Sequence, residues 1–212
     1  MANDKPVLIL IGGINGAGKT TFYYEQIKPN VDKSGRRYPF VNADEMEKSR
    51  YPDEVGKHSL EMGKLAAKIR YQYIDAGQSF ITETVYSHIS KVQLIRDAQN
   101  AGFEVILNHV HVSSAELAYK RVLDRVGAGG HYVPKDRVYS RYDRTVANIL
   151  MASMAADHTY VWDNSRESGH KDATHQFVMT MAKGQIIKLS NKLPAWAHQM
   201  YRSQINKLNK KC

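Results

Sequence analysis

The stretch Val7-Leu8-Ile9-Leu10-Ile11-Gly12-Gly13-Ile14-Asn15-Gly16-Ala17-Gly18-Lys19-Thr20-Thr21 decides the fold. Its opening apolar run, residues 7–11, lacks the polar alternation of a half-exposed strand and reads as one covered on both faces. Directly after it, residues 13–20 fit the pattern G-x-x-x-x-G-K-[ST]. Each residue type there has a physical task. Gly13, Asn15, Gly16, Ala17 and Gly18 form a loop whose amides turn inward on an anion, and its glycines allow the tight curl. The helix that opens near Gly18 offers free N–H groups and the positive end of its dipole to the same anion. Lys19 places a point charge on the β- and γ-phosphates, the Thr20 hydroxyl ligates Mg²⁺, and Thr21 follows in the first helical turn. A strand before and a helix after form the context that separates a nucleotide loop from a chance match. ATP and Mg²⁺ are the expected ligands.

Outward from this loop, short apolar runs alternate with longer segments of helical period, the pattern of an α/β protein. Strands are expected at 39–42, 79–82, 103–112 and 159–162. Helices are expected from Gly18 to before Pro29, at 53–76, after the third strand to Ala101, at 114–126 and at 134–155. Residues 177–189 read as a hairpin turning at Lys183-Gly184. A last amphipathic helix carries Trp196, Met200, Tyr201, Ile205 and Leu208 on one face. The expected architecture is a P-loop kinase-like parallel sheet flanked by helices. Residues 1–166 form the kinase domain with a helical lid at about 127–145, and residues 167–212 a basic extension packed on the same domain.

Composition sets the bounds. The chain has 212 residues, 42% hydrophobic and 24% charged, which is globular and excludes a disordered chain. No apolar run is long enough to span a bilayer, and residues 1–5 lack a secretory layout. The single cysteine, Cys212, forms no intramolecular disulfide and no thiolate zinc site. A cytoplasmic protein without membrane contact is expected. The net charge of +9 is uneven: seven of the 30 lysines and arginines follow Asp172, the last acidic residue, so the first 172 residues carry only +2. That tail reads either as a solvated basic face or as a site for a polyanion or an acidic partner.

Working residues of an open α/β sheet sit just past the carboxyl ends of its strands. Asp44 follows the second strand and Glu83 the third. Two carboxylates over one phosphate loop suit phosphoryl transfer to a bound hydroxyl, one as general base and the other supporting the metal or gripping the acceptor. Asp44 as a helix cap and Glu83 as an ordinary loop acid are the structural alternatives. Arg121 and Arg125 share one helix, and Arg137, Arg141 and Arg144 share the face of the next, beyond the hinge Gly127-Ala128-Gly129-Gly130. Cations on both sides of a hinge suit a lid that closes on a triphosphate. Arg125 and Arg141 are the expected catalytic cations. Ser87 and His88 are candidate acceptor contacts. His109 and His111 alternate on a strand without a third ligand in register and read as structural.

The combination Gly13 to Thr21, Val41-Asn42-Ala43-Asp44-Glu45, Thr82-Glu83-Thr84-Val85-Tyr86-Ser87-His88, Arg121 with Arg125, Gly129 to Pro134, Arg141-Tyr142 with Arg144, and Asp163-Asn164-Ser165 resembles the zeta-toxin family of P-loop kinases, in particular its short stand-alone members. The resemblance implies ATP-dependent phosphorylation of a hydroxyl on UDP-N-acetylglucosamine or a related UDP-sugar, and a neutralising antitoxin protein. By carry-over, Lys19 and Thr20 serve ATP and Mg²⁺, Asp44 is the base, Glu83 holds the sugar acceptor, Arg125 faces the phosphates and Asn164 lies near adenine. Better-known members carry a threonine where this chain has Val85 and a lid arginine where it has His131, with Arg141 or Arg144 as the stand-in for that charge. Two other readings remain open. One is a kinase acting on a nucleotide or nucleic-acid end; the other is a nucleotide-binding regulatory protein without transfer activity.

Overall fold

The computed structural model describes residues 5–127, 130, 132–166 and 175–209. Its seven-stranded sheet runs in the order β2-β3-β1-β4-β5-β6-β7. The first five strands in chain order, β1 (Val7–Gly12), β2 (Phe40–Val41), β3 (Phe80–Thr84), β4 (Glu104–His111) and β5 (His158–Asp163), are parallel. The hairpin β6 (Gln176–Ala182) and β7 (Gln185–Leu189) adds two antiparallel strands beyond β5 and turns at Lys183 and Gly184, both at positive φ. β1 lies between β3 and β4, so the chain leaves it in both directions and opens a crevice at its carboxyl end.

The apolar run of β1 is divided by the two-residue side-chain period. Leu8 and Leu10 enter the core under α4 (Ser59–Asp75), α5 (Ser90–Asn100) and α7 (Lys135–Ala155). Ile9 and Ile11 enter the opposite core with Phe22 of α1 (Lys19–Phe22) and Val122 of α6 (Ala115–Gly127). A third core joins the hairpin to α8 (Ala195–Met200) and α9 (Arg202–Asn209). The parallel strands are thus covered on both faces, as a continuous apolar strand requires.

Three expected helices have different boundaries. The first does not end before Pro29. After α1 it widens into a π-helical segment, Tyr23–Ile27, and resumes as α2 (Lys28–Lys33) with Pro29 in its opening turn, where a missing N–H costs little. The segment expected as one helix over 53–76 is a 3₁₀ turn, Pro52–Glu54, then a bend through Gly56 (φ 98°), then α4. The cause is Glu47, a fully buried residue of α3 (Ala43–Arg50). Its carboxylate accepts from the N–H groups of Gly56 and His58 and from Ser59 Oγ, so those amides are drawn out of any helix. The last helix breaks at Tyr201, whose buried hydroxyl reaches His109 Nδ1 at 3.0 Å and Ser153 Oγ at 3.2 Å.

Candidate active site

The loop after β1 is shaped by two glycines at positive φ, Gly16 (81°) and Gly18 (86°). A Cβ at Gly16 would stand 2.1 Å from the Ala118 carbonyl oxygen, so the loop lies directly on α6. From behind, Asn164 Nδ2 donates to the Ala17 carbonyl at 2.9 Å, and His175 Nε2 lies 3.2 Å from the Gly18 carbonyl. Burial pushes the His175 imidazole below its ordinary value. Asn164, which the resemblance sets near adenine, braces the loop through its amide.

In front of the loop, Lys19 is buried and its Nζ donates to the Ile14 carbonyl at 3.1 Å. Glu83, at the tip of β3, faces it with Oε1 3.5 Å from Nζ. Glu83 Oε2 accepts from Thr20 Oγ1 at 2.8 Å and from Asn42 Nδ2 at 2.9 Å. The parallel register, with Ile11 opposite Glu83, carries this carboxylate to the loop's edge. A hydroxyl, a carboxylate and a carboxamide oxygen (Asn15 Oδ1, buried without a partner) are hard oxygen donors that fit Mg²⁺ beside a triphosphate.

Asp44 lies in the first turn of α3. The cap of that helix is Asn42, whose Oδ1 accepts from the N–H groups of Asp44 at 2.9 Å and Glu45 at 3.4 Å. Among the described residues no hydrogen bond occupies the Asp44 carboxylate. Asn42 therefore sets both acids, Asp44 through the cap and Glu83 through its amide. The sequence reading missed this role, although an asparagine ahead of Asp-Glu is a legible cap signal.

Asn15, Lys19, Asp44, Glu83, Arg125 and Arg141 all line one cavity of about 660 Å³. The cavity wall carries seven lysines and arginines against two carboxylates, Asp44 and Glu83. Burial, then Arg137 and Arg144, lower the Arg141 guanidinium from its ordinary value. Several expected residues lie elsewhere. Ser87 and His88 are outside the lining, with His88 Nδ1 accepting from the Ser90 N–H at the start of α5. Arg144 is exposed and donates to Ser140 of its own helix, Arg121 donates to the Arg166 carbonyl, and Thr21 is exposed. Of the glycine hinge, residues 128 and 129 lie outside the described residues, as does His131. His109 and His111 are buried in the third core's seam, with His111 stacked on Trp196 at 3.8 Å, and no cluster of three or more metal-binding side chains exists among the described residues. No helix there is long and apolar enough to cross a membrane.

Comparison with known proteins bears on the fold and the family. The zeta-toxin family profile matches residues 1–173. An uncharacterized protein of Haemophilus influenzae is 26% identical over 133 residues, 61% of this chain and 88% of its own length. Among solved structures, the AvrRxo1-ORF1:-ORF2 complex with ATP superposes with a TM-score of 0.67 at 17% identity, covering 95% of this chain and 64% of that one. The PezAT chromosomal toxin-antitoxin system of Streptococcus pneumoniae gives a TM-score of 0.57 at 18% identity, covering 99% and 88%. The chain thus spans less than two thirds of the AvrRxo1 chain. At these identities the superpositions establish the P-loop kinase-like fold, and the profile establishes descent: the chain belongs to the zeta-toxin family.

Proposed function

We propose that the protein is a cytoplasmic kinase that moves the γ-phosphoryl group of ATP onto a hydroxyl of UDP-N-acetylglucosamine or a related UDP-sugar, within a toxin-antitoxin pair. One observation carries this reading: the Asp44 carboxylate opens into the same cavity as Lys19, Glu83 and the phosphate loop. The AvrRxo1 structure with ATP supports the donor, and the PezAT structure supports an antitoxin partner.

The chain's own groups divide the work. The loop amides and Lys19 hold the β- and γ-phosphates, and Arg125 and Arg141 approach from the helices flanking the hinge. Asp44 accepts the proton of the acceptor hydroxyl as its oxygen bonds to the γ-phosphorus. The bond from that phosphorus to the β–γ bridging oxygen breaks, and ADP leaves with the electron pair. Thr20 and Glu83, joined by their hydrogen bond, would hold Mg²⁺, which when bound offsets the charge on the β- and γ-oxygens.

The test is incubation of purified protein with labelled ATP and a panel of UDP-sugars, nucleotides and RNA. The expected result is label on a UDP-sugar, falling by roughly 10²–10⁴-fold in Asp44→Asn protein while ATP binding persists. Label on oligonucleotide ends with a steep salt dependence would move the reading to a nucleic-acid kinase. Tight ATP binding with no labelled product would leave a regulatory nucleotide-binding protein.

A further inference from the structure

Four of the cavity's seven cations have no task in the proposed reading; Lys57 pairs with Glu54 and Arg137 is exposed, which leaves Arg70 and Lys91. Arg70 of α4 is only 5% exposed, yet it lines the cavity wall. Its Nη1 donates to Thr82 Oγ1 at 3.4 Å, a long bond to a neutral hydroxyl that already donates to the Val41 carbonyl at 2.8 Å. No carboxylate pairs with Arg70 among the described residues. Lys91 lines the same cavity from the first turn of α5 and likewise has no acidic partner there. Its place is unfavourable on its own, because the start of a helix already carries partial positive charge.

These features cost stability that one long hydrogen bond to Thr82 does not offset. A buried guanidinium without a counter-ion loses hydration, and a second cation beside it adds repulsion. Burial lowers both groups from their ordinary values, and the Arg70 charge lowers Lys91 further, which places the two within electrostatic reach of each other. Packing does not explain the arginine, since an apolar residue of its size would fill the wall at lower cost. An anion drawn from the cavity would offset the desolvation and the repulsion together.

We infer that Arg70 and Lys91 form an acceptor-side anion site that grips a phosphate-bearing part of the acceptor, apart from the triphosphate held by the P-loop. Resting on the kinase reading above, this assigns the pair to the diphosphate of the UDP-sugar, with the sugar hydroxyl presented to Asp44. The triphosphate already has Lys19, Arg125 and Arg141, whereas Arg70 and Lys91 reach the cavity wall from α4 and α5. Arg70 supplies a fixed fork and Lys91 a mobile point charge, a combination suited to two adjacent phosphates.

The test uses the full chain with its P-loop saturated by a non-hydrolysable ATP analogue and Mg²⁺, so that added anions read only the second site. Calorimetric titration with inorganic pyrophosphate and with UDP is expected to show binding that weakens about tenfold in Lys91→Gln and at least as much in Arg70→Met. N-acetylglucosamine, which lacks phosphate, should not distinguish the variants from wild type. If Arg70→Met fails to fold, Lys91→Gln carries the test alone. Unchanged pyrophosphate affinity in a Lys91→Gln protein that melts like wild type overturns the site. The two readings fail separately. Pyrophosphate binding that depends on Lys91, with no phosphorylation of UDP-sugars, sustains the site and removes the UDP-sugar. UDP-sugar phosphorylation with an unaltered acceptor KM in Lys91→Gln does the reverse.

Discussion

Thr20 Oγ1 donates a 2.8 Å hydrogen bond to Glu83 Oε2, tying the first turn of α1 to the tip of β3 across the mouth of the phosphate loop. The same carboxylate faces Lys19 Nζ at 3.5 Å, so one acid organises both side chains that the loop motif contributes. Glu83→Gln keeps the shape and removes the charge. The Mg²⁺ concentration for half-maximal transfer should rise and activity should fall, each by roughly 10–100-fold, as when a metal's supporting carboxylate is removed. A magnesium titration of the variant reads this directly, and an unaltered Mg²⁺ curve would detach Glu83 from the metal.

Asn42 holds the two acids in common. Asn42→Ala removes the cap of α3 and the amide on Glu83, and should cost about 1–2 kcal/mol of stability together with most of the transfer rate. Asn42→Ser restores a capping hydroxyl without reaching Glu83. Denaturant melts should show stability recovered in the serine variant while kcat stays low. Parallel recovery of both would mean that the Asn42–Glu83 bond has no part in catalysis.

Gly16→Ala places a methyl group against the Ala118 carbonyl in a conformation with φ near 81°. The left-handed conformation alone costs about 1–2 kcal/mol, and the clash forces the loop off α6. The nucleotide analogue should bind at least about tenfold more weakly while circular dichroism keeps its wild-type form. Retained affinity would show that the loop grips nucleotide in another shape.

Burial pushes the His111 imidazole down to about 3 and His109 well below 6.5. In the unfolded chain both rings take up a proton near pH 6.5, and in the folded chain they do so only at much lower pH. Acid therefore favours the unfolded state. Stability should fall as pH drops below about 6.5, by about 1.4 kcal/mol per pH unit for each ring held neutral, and these groups should contribute no slope above it. His111→Phe, which keeps an aromatic ring against Trp196, should flatten the decline between pH 6.5 and 5. Equal slopes in melts of wild type and variant would contradict this.

The phosphate loop, the strand segments along the chain and the hairpin turn at Lys183-Gly184 were legible because each rests on local chemistry: a glycine pattern, an apolar run, a turn needing positive φ. Lys19, Asp44, Glu83, Arg125 and Arg141 were legible because strand tips and one helix face predict where side chains converge. What escaped was long-range. Nothing local marks Glu47 as the buried acid that reshapes residues 56–59, since its three partners lie 9 to 12 positions away. Arg70 looks like any helix-surface arginine until the sheet closes over it. Asn164 carries a family motif, yet its partner at Ala17 is 147 positions distant.

That last separation bears on when the protein acquires its grip. Asn164 and His175 support the rear of the loop from beyond β5, and the loop precedes them in the chain by about 150 positions. A nascent polypeptide therefore exposes the nucleotide motif long before it can stiffen it. The ribosome must carry synthesis past His175 before the cradle is backed, so competence waits on β5 and the segment that follows it.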